Sequence, residues 1–219
     1  MEATREPSAQ RLILSLSISG LVAGIVLVGV YDVTYPAIQK NRAEAVKKAV
    51  FKIYGEHTKG FEVFLLGSDH KTLQAFDMSG GALPEGSTVF GAVDSSGQLM
   101  GYAVPAEGAG FQDTIKILYG YDPTQKRIVG MEVLESKETP GLGDKIGSDA
   151  KFRANFTALS VEPAIQLVKG KKSGANEVDA ISGATISSDA VVKILNRSLD
   201  QWRPILAAEA AKKSGAKER

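Results

Sequence analysis

The sequence predicts an α+β fold: a single N-terminal transmembrane helix, then a mixed antiparallel-sheet domain closed by a C-terminal helix. Three observations carry this. Leu12 to Tyr31 is uncharged and almost wholly apolar. Five short apolar segments between Phe61 and Leu134 alternate with turn compositions. Near the end, Val191, Ile194, Leu195, Ser198, Leu199 and Trp202 share one helical face.

At 219 residues the chain holds one ordinary domain plus an appendage. Lysine and arginine number 26 against 25 acidic residues, so no global field selects nucleic acid or an acidic partner. With no cysteine, disulfides, cysteine-ligated zinc and cysteine-ligated iron–sulfur clusters are excluded. The 23 glycines concentrate in the middle and late chain, where hairpins and close backbone approach to a ligand require them.

About 20 apolar residues at 1.5 Å each cross a hydrocarbon core of roughly 30 Å. Ser15, Ser19, Ala23 and Gly24 recur along this run, as on a face packed against other membrane helices. A cleaved signal peptide would have a shorter apolar core and a small-x-small cleavage site. Residues 1–35 therefore read as tail and membrane anchor. Arg5 and Arg11 precede the span while Lys40, Arg42, Lys47 and Lys48 follow it, and large domains translocate largely regardless of charge, so orientation stays open.

Pro36 is expected to end the span. A connecting helix within 36–60 follows, with Val46, Ala49, Val50 and Ile53 on one face and Gly55 as its stop. The main domain is placed at 61–204. Strands are expected over 61–66, 87–93, 98–104, 114–121 and 127–134, with turns at Asp94–Gly97 and Asp122–Gln125. Two hairpins look alike, each with Gly-x-x-Val (Gly101 to Val104, Gly130 to Val133), as two similar antiparallel sheets would.

After the strands comes Lys137-Glu138-Thr139-Pro140-Gly141-Leu142-Gly143-Asp144-Lys145. Pro140 holds Thr139 extended. Two glycines bracket one apolar residue, giving a tight loop that can lie against something flat and offer Leu142 as the contact; an ordinary glycine loop leaving a strand fits equally. A dinucleotide fingerprint is excluded, because its third glycine position holds Ile146. Phe152 and Phe156 share a helical face and read as core. Lys169, Gly170, Lys171 and Lys172 read as a solvated hairpin. His57 and His70 lack partner spacing for a metal or a triad. From 205 to 219 the chain is Ala/Lys/Glu-rich and reads as a fraying helix and a disordered tail.

Asp179-Ala180-Ile181-Ser182-Gly183-Ala184-Thr185-Ile186-Ser187-Ser188 places four hydroxyls and two small residues where a helix begins. Helix N-termini present free N–H groups and a positive dipole end, which suit a phosphate. The competing reading makes Ser187 or Ser188 a simple N-cap.

In this order, Glu138–Lys145 and Asp179–Thr185 closely resemble the FMN-binding domain of the G subunit of Rnf electron-transport complexes. The C subunit of the sodium-pumping NADH:quinone oxidoreductase is similar. The resemblance covers nearly the whole chain, from the single span to the two motifs. In that family a flavin transferase moves FMN from FAD onto the threonine closing Asp-x-x-[Ser/Thr]-Gly-Ala-Thr, as a phosphoester. Thr185 is that residue here, with Asp179 at the acidic position. Ser187 stands where the family often has threonine, and the hydroxyl is kept. The resemblance implies an FMN site built from Asp179, Ser182, Gly183, Ala184, Thr185, Ser187 and Ser188. Glu138, Thr139, Gly141, Leu142, Gly143 and Lys145 complete it from the glycine loop. Asp144-Lys145 is more like the Rnf version.

The function so implied is that of a membrane-anchored electron carrier in a ferredoxin:NAD oxidoreductase complex coupled to Na+ or H+ movement. Its implied partners are other membrane subunits, the flavin transferase and membrane lipid. Its implied place is the inner (cytoplasmic) membrane, with the flavin domain on the periplasmic, extracytoplasmic side. The flavin carries the redox chemistry, so no catalytic side chain, metal or nucleic acid is expected. The C subunit of the sodium pump and a non-redox anchored scaffold are the alternatives.

Overall fold

The computed structural model describes residues 8–55, 57–77, 83–84 and 86–216. Arg5 and the tail residues 217–219 lie outside the described residues. The chain divides into two compact units at Ala43.

Residues 9–42 lie on α1 (Ala9–Tyr54), whose apolar side chains are exposed on every side: Leu12 53%, Leu16 77% and Leu27 70%. A helix apolar all round is stable only inside an apolar medium. Among the described residues, α1 alone is long and apolar enough to cross a membrane. The helix continues through Pro36, so the expected connecting helix is not separate from the span helix. One proline removes one ladder bond, and strong helical segments on both sides tolerate that.

The second unit is a sandwich of helix, sheet and helix. β1 (Thr58–Leu66), β2 (Leu73–Phe76), β3 (Thr88–Asp94), β4 (Leu99–Ala109), β5 (Thr114–Asp122), β6 (Arg127–Glu135) and β7 (Leu159–Ser160) form one antiparallel sheet in the order β2-β1-β3-β4-β5-β6-β7. All five expected strands are present. The two look-alike hairpins, however, are neighbours in this single sheet, not two sheets. The two motif glycines both lie under the end of α1: a Cβ on Gly101 would stand 2.8 Å from the Tyr54 hydroxyl, and one on Gly130 3.3 Å from Ile53 Cγ2. Gly120, the cross-strand partner of Gly130, is tighter still, with a Cβ 2.5 Å from Ile53 Cγ2. The bare backbone is a seat for the end of α1.

Strand alternation sends residues to opposite faces. On one face Val63, Phe90, Ala92, Ala103 and Leu118 meet Val46, Ala49 and Val50 of α1. On the other, Tyr102, Val104, Ile115, Ile117 and Tyr119 meet α4 (Thr185–Ala216) through Val191, Leu195, Leu199 and Trp202. With both faces covered, β5 reads as a nearly continuous apolar run. Pro105 sits inside β4 because β3 no longer pairs there: the β3–β4 register ends at Phe90↔Ala103, so no ladder donor is lost on that side.

Between sheet and α4 lie α2 (Lys145–Ser148), α3 (Ala150–Ala154) and the parallel pair β8 (Gln166–Val168) and β9 (Glu177–Asp179). Lys169–Lys172 therefore belongs to a parallel connection, not to the expected hairpin. Phe152 and Phe156 are core, edge to face at 5.2 Å. Helix α4 runs through Pro204 to Ala216, and Ile205 and Leu206 are buried. Burial of these two side chains extends the domain beyond the expected boundary at 204, because packing outweighs the local proline penalty.

Candidate functional site

Three segments converge at the start of α4: the 110–113 turn between β4 and β5, the glycine loop after β6, and the loop after β9. The first two are clasped at the surface by Lys137 and Asp113, 2.9 Å apart. The Lys137 hydrogen bond holds the Asp113 carboxyl below its usual range, and Asp113 in turn raises Lys137. Both groups are exposed, so this clasp adds little stability.

Glu138, by contrast, is only 5% exposed. Its Oε1 accepts the backbone N–H groups of Phe111 at 2.8 Å and Gln112 at 3.1 Å. Its Oε2 accepts the Ser187 hydroxyl at 2.5 Å. A buried carboxylate is tolerable only with such partners, and three donors from two distant segments supply them.

Thr139-Pro140-Gly141-Leu142 then makes a tight turn. The Leu142 N–H donates to Thr139 O at 3.1 Å, and Gly141 takes φ +76°. Proline second and a positive-φ glycine third is the type II pattern. The turn leaves Leu142 48% exposed. Gly143 is needed for a different reason: a Cβ there would lie 2.7 Å from both Glu138 Oε2 and Ser187 Oγ. Lys145 opens α2 and stands half exposed.

The signature loop makes a second such turn. The Ala184 N–H donates to Ile181 O at 3.0 Å, with Gly183 at φ +82°. Ser188 locks it: its hydroxyl accepts the Ile181 N–H at 3.1 Å and donates to Ala184 O at 2.9 Å. A side chain on Gly183 would stand 3.7 Å from Leu142 Cδ2, so the two turns lie against each other. Helix α4 begins at Thr185 itself, so neither Ser187 nor Ser188 is the N-cap. Both hydroxyls are buried and committed inward.

Two hydroxyls remain. Ser182 is exposed and Thr185 half-buried, and neither side chain hydrogen-bonds among the described residues. The first bond into the helix is made by the Ser188 N–H to Ala184 O at 3.0 Å, which leaves the N–H groups of Thr185, Ile186 and Ser187 without carbonyl partners. The 179–182 segment that leads into this turn borders a recess of about 410 Å³, whose polar lining is Lys145, Asp149, Lys151, Asn155, Asp179 and Ser182. The Asp179 N–H donates to Asn155 Oδ1 at 3.2 Å, while its own Oδ1 is buried without a partner.

The arrangement fits a flavin phosphate. A free hydroxyl heads a helix whose first N–H groups are unpaired; the recess, with Lys145 and Lys151 against Asp149 and Asp179, offers polar partners of both signs. The expected site residues lie in these two turns, along the recess, on the first turn of α4 or at the Glu138–Ser187 bond. Phe111, Gln112, Asn155 and Ile186 escaped the sequence reading. Phe111 and Ile186 are exposed apolar residues, 59% and 61%, flanking the groups tied to Glu138. Gly110 beside Phe111 was the available signal for the turn; nothing in the sequence distinguishes Asn155.

The FMN-binding domain family matches residues 110–200. The chain is 30% identical over 190 residues to the G subunit of the ion-translocating oxidoreductase complex of Methanosarcina acetivorans, covering 87% of this chain and 92% of that one. It is 34% identical to the G subunit of the Na(+)-translocating ferredoxin:NAD(+) oxidoreductase complex of Acetobacterium woodii, over about half of each chain (50% and 52%). Its fold is that of Shewanella oneidensis NqrC, with TM-score 0.61 at 19% identity, covering 77% of this chain and 99% of that one.

Proposed function

The chain belongs to the G-subunit family of ion-translocating oxidoreductase complexes, and from that premise we propose a membrane-anchored flavoprotein that carries covalent FMN and relays electrons. Its setting is an Rnf-type ferredoxin:NAD oxidoreductase complex coupled to Na+ or H+ translocation. One observation carries the covalent assignment: of the three hydroxyls on the first turn of α4, Thr185 alone is uncommitted, and it heads the helix where N–H groups are free.

In this reading the Thr185 oxygen holds the phosphate as a phosphoester. The N–H groups of Ile186 and Ser187 would donate to the phosphate oxygens, helped by the helix dipole. Leu142 offers apolar surface to the ring system. Lys145, Asp179 and Ser182 offer polar partners to the remainder, and Glu138, Gly141, Gly143, Ala184 and Ser188 hold the loops in place. When bound, the flavin would supply the electron-transfer chemistry; this chain would position it. Other membrane proteins of the complex exchange electrons with it, a flavin transferase loads it, and lipid holds residues 12–31. The flavin domain lies on the extracytoplasmic side.

Co-expression with a flavin transferase tests the reading. The protein should keep yellow in-gel fluorescence through denaturing electrophoresis, and its intact mass should include one FMN. Thr185→Ala should lose both. A fluorescent Thr185→Ala band would sink the assignment. The proteins that co-purify with it separate the Rnf-type complex from the sodium-pump alternative.

A further inference from the structure

Two glycines make room for the Glu138 carboxylate. A Cβ on Gly143 would meet Oε2 and the Ser187 hydroxyl, and one on Gly110 would collide with Oε1. The carboxylate therefore sits between two bare backbones, bonded to the 110–113 turn by one oxygen and to α4 by the other. At about 100° per residue, Thr185 and Ser187 point to opposite sides of the helix. Ser187 is thus drawn inward on the side away from Thr185, whose side chain stays partly exposed. Ser188 pins the same turn from its other side through the Ile181 N–H and Ala184 O.

We infer that Glu138 is a positioning residue for flavin loading: through Ser187 it orients the first turn of α4 so that the Thr185 hydroxyl is the one presented to the flavin transferase. This rests on the covalent-FMN reading above. In the step itself, Thr185 Oγ forms a bond to the FMN phosphorus of FAD. The pyrophosphate bond of FAD breaks, AMP departs, and the hydroxyl proton passes to the transferase. No electrons change hands. Glu138 takes no part in that exchange; it fixes where the nucleophilic oxygen stands.

The test uses the full chain purified from a host without the transferase, then incubated with transferase, FAD and Mg2+. Loading at Thr185 is followed by peptide mass, below each variant's melting temperature. Ser187→Ala and Glu138→Ala should load about tenfold or more slowly, because a misplaced nucleophile loses rate steeply. Glu138→Gln should load within about threefold of wild type, since its amide oxygen can accept the two N–H groups and its amide nitrogen can donate to Ser187. A purely structural role would lower the melting temperature of both alanine variants without slowing loading of the folded protein. Wild-type loading rates in folded Ser187→Ala overturn the inference, even if Glu138→Ala does not fold. Failure of wild type to gain FMN at Thr185 overturns the covalent reading itself, a separate result.

Discussion

The Ser187 hydroxyl donates to Glu138 Oε2 across 2.5 Å, although the two residues are 49 positions apart in sequence. This contact joins the glycine loop to the signature helix, and Gly143 lies directly over it.

The two glycines of the loop should therefore differ when replaced. Gly141→Ala meets open space and suffers only its positive φ, a cost of about 1–2 kcal/mol. Gly143→Ala drives a methyl into the Glu138–Ser187 bond and should cost more, about 2–4 kcal/mol, from overpacking plus a lost charged hydrogen bond. Chemical denaturation of the two variants gives the order. Equal losses would contradict the packing described.

Ser188→Ala removes both side-chain bonds that brace the 181–184 turn and leaves its backbone bond. The buried Ile181 N–H is left without a partner, at about 1–3 kcal/mol. The midpoint should fall with an unchanged denaturant slope, because the fold remains two-sided and compact. A neutral result would mean that the turn holds without its serine.

Gly120→Ala places a methyl 2.5 Å from Ile53 Cγ2 and 2.6 Å from Val129 Cγ2. The end of α1 must then lift from the sheet or the strand must move, for about 1–3 kcal/mol. Hydrogen exchange should rise in residues 46–54 and remain unchanged in α4. Uniform exchange across the domain would argue against a local seat.

Alkaline pH should unfold the domain cooperatively. Burial pushes the Tyr102 and Tyr119 hydroxyls well above their usual range, with the Ser198 bond opposing this only in part at Tyr119. The unfolded chain ionises near pH 10 while the folded one stays protonated, so the folded state binds more protons. Stability is full below about pH 10 and falls above it, by up to about 1.4 kcal/mol per pH unit for each tyrosine. Phenolate absorbance of these residues should appear together with loss of ellipticity. Ionisation well before unfolding would contradict their burial.

The anchor, the five strands and the face of α4 were legible in the sequence because each rests on a local period: a long apolar run, alternation between turns, or a helical stripe. The glycine loop and the signature were legible as motifs, with the loop expected to be tight; its type II geometry came from the fold. Local rules misled where packing overrides them. Pro204 lies inside a helix whose next residues, Ile205 and Leu206, are buried, and Gly101 and Gly130 seat the end of α1 instead of marking two sheets.

The site divides along the same line. Residue order alone settles which hydroxyls, glycines and charges are available near the start of α4. Which of those hydroxyls are used internally is settled by the folded arrangement. Glu138 takes Ser187, the turn takes Ser188, and Thr185 is left uncommitted. That selection depends on hydrogen bonds across 49 residues and on a sheet that brings the 110–113 turn beneath the loop. No short window of sequence contains both ends of such a bond.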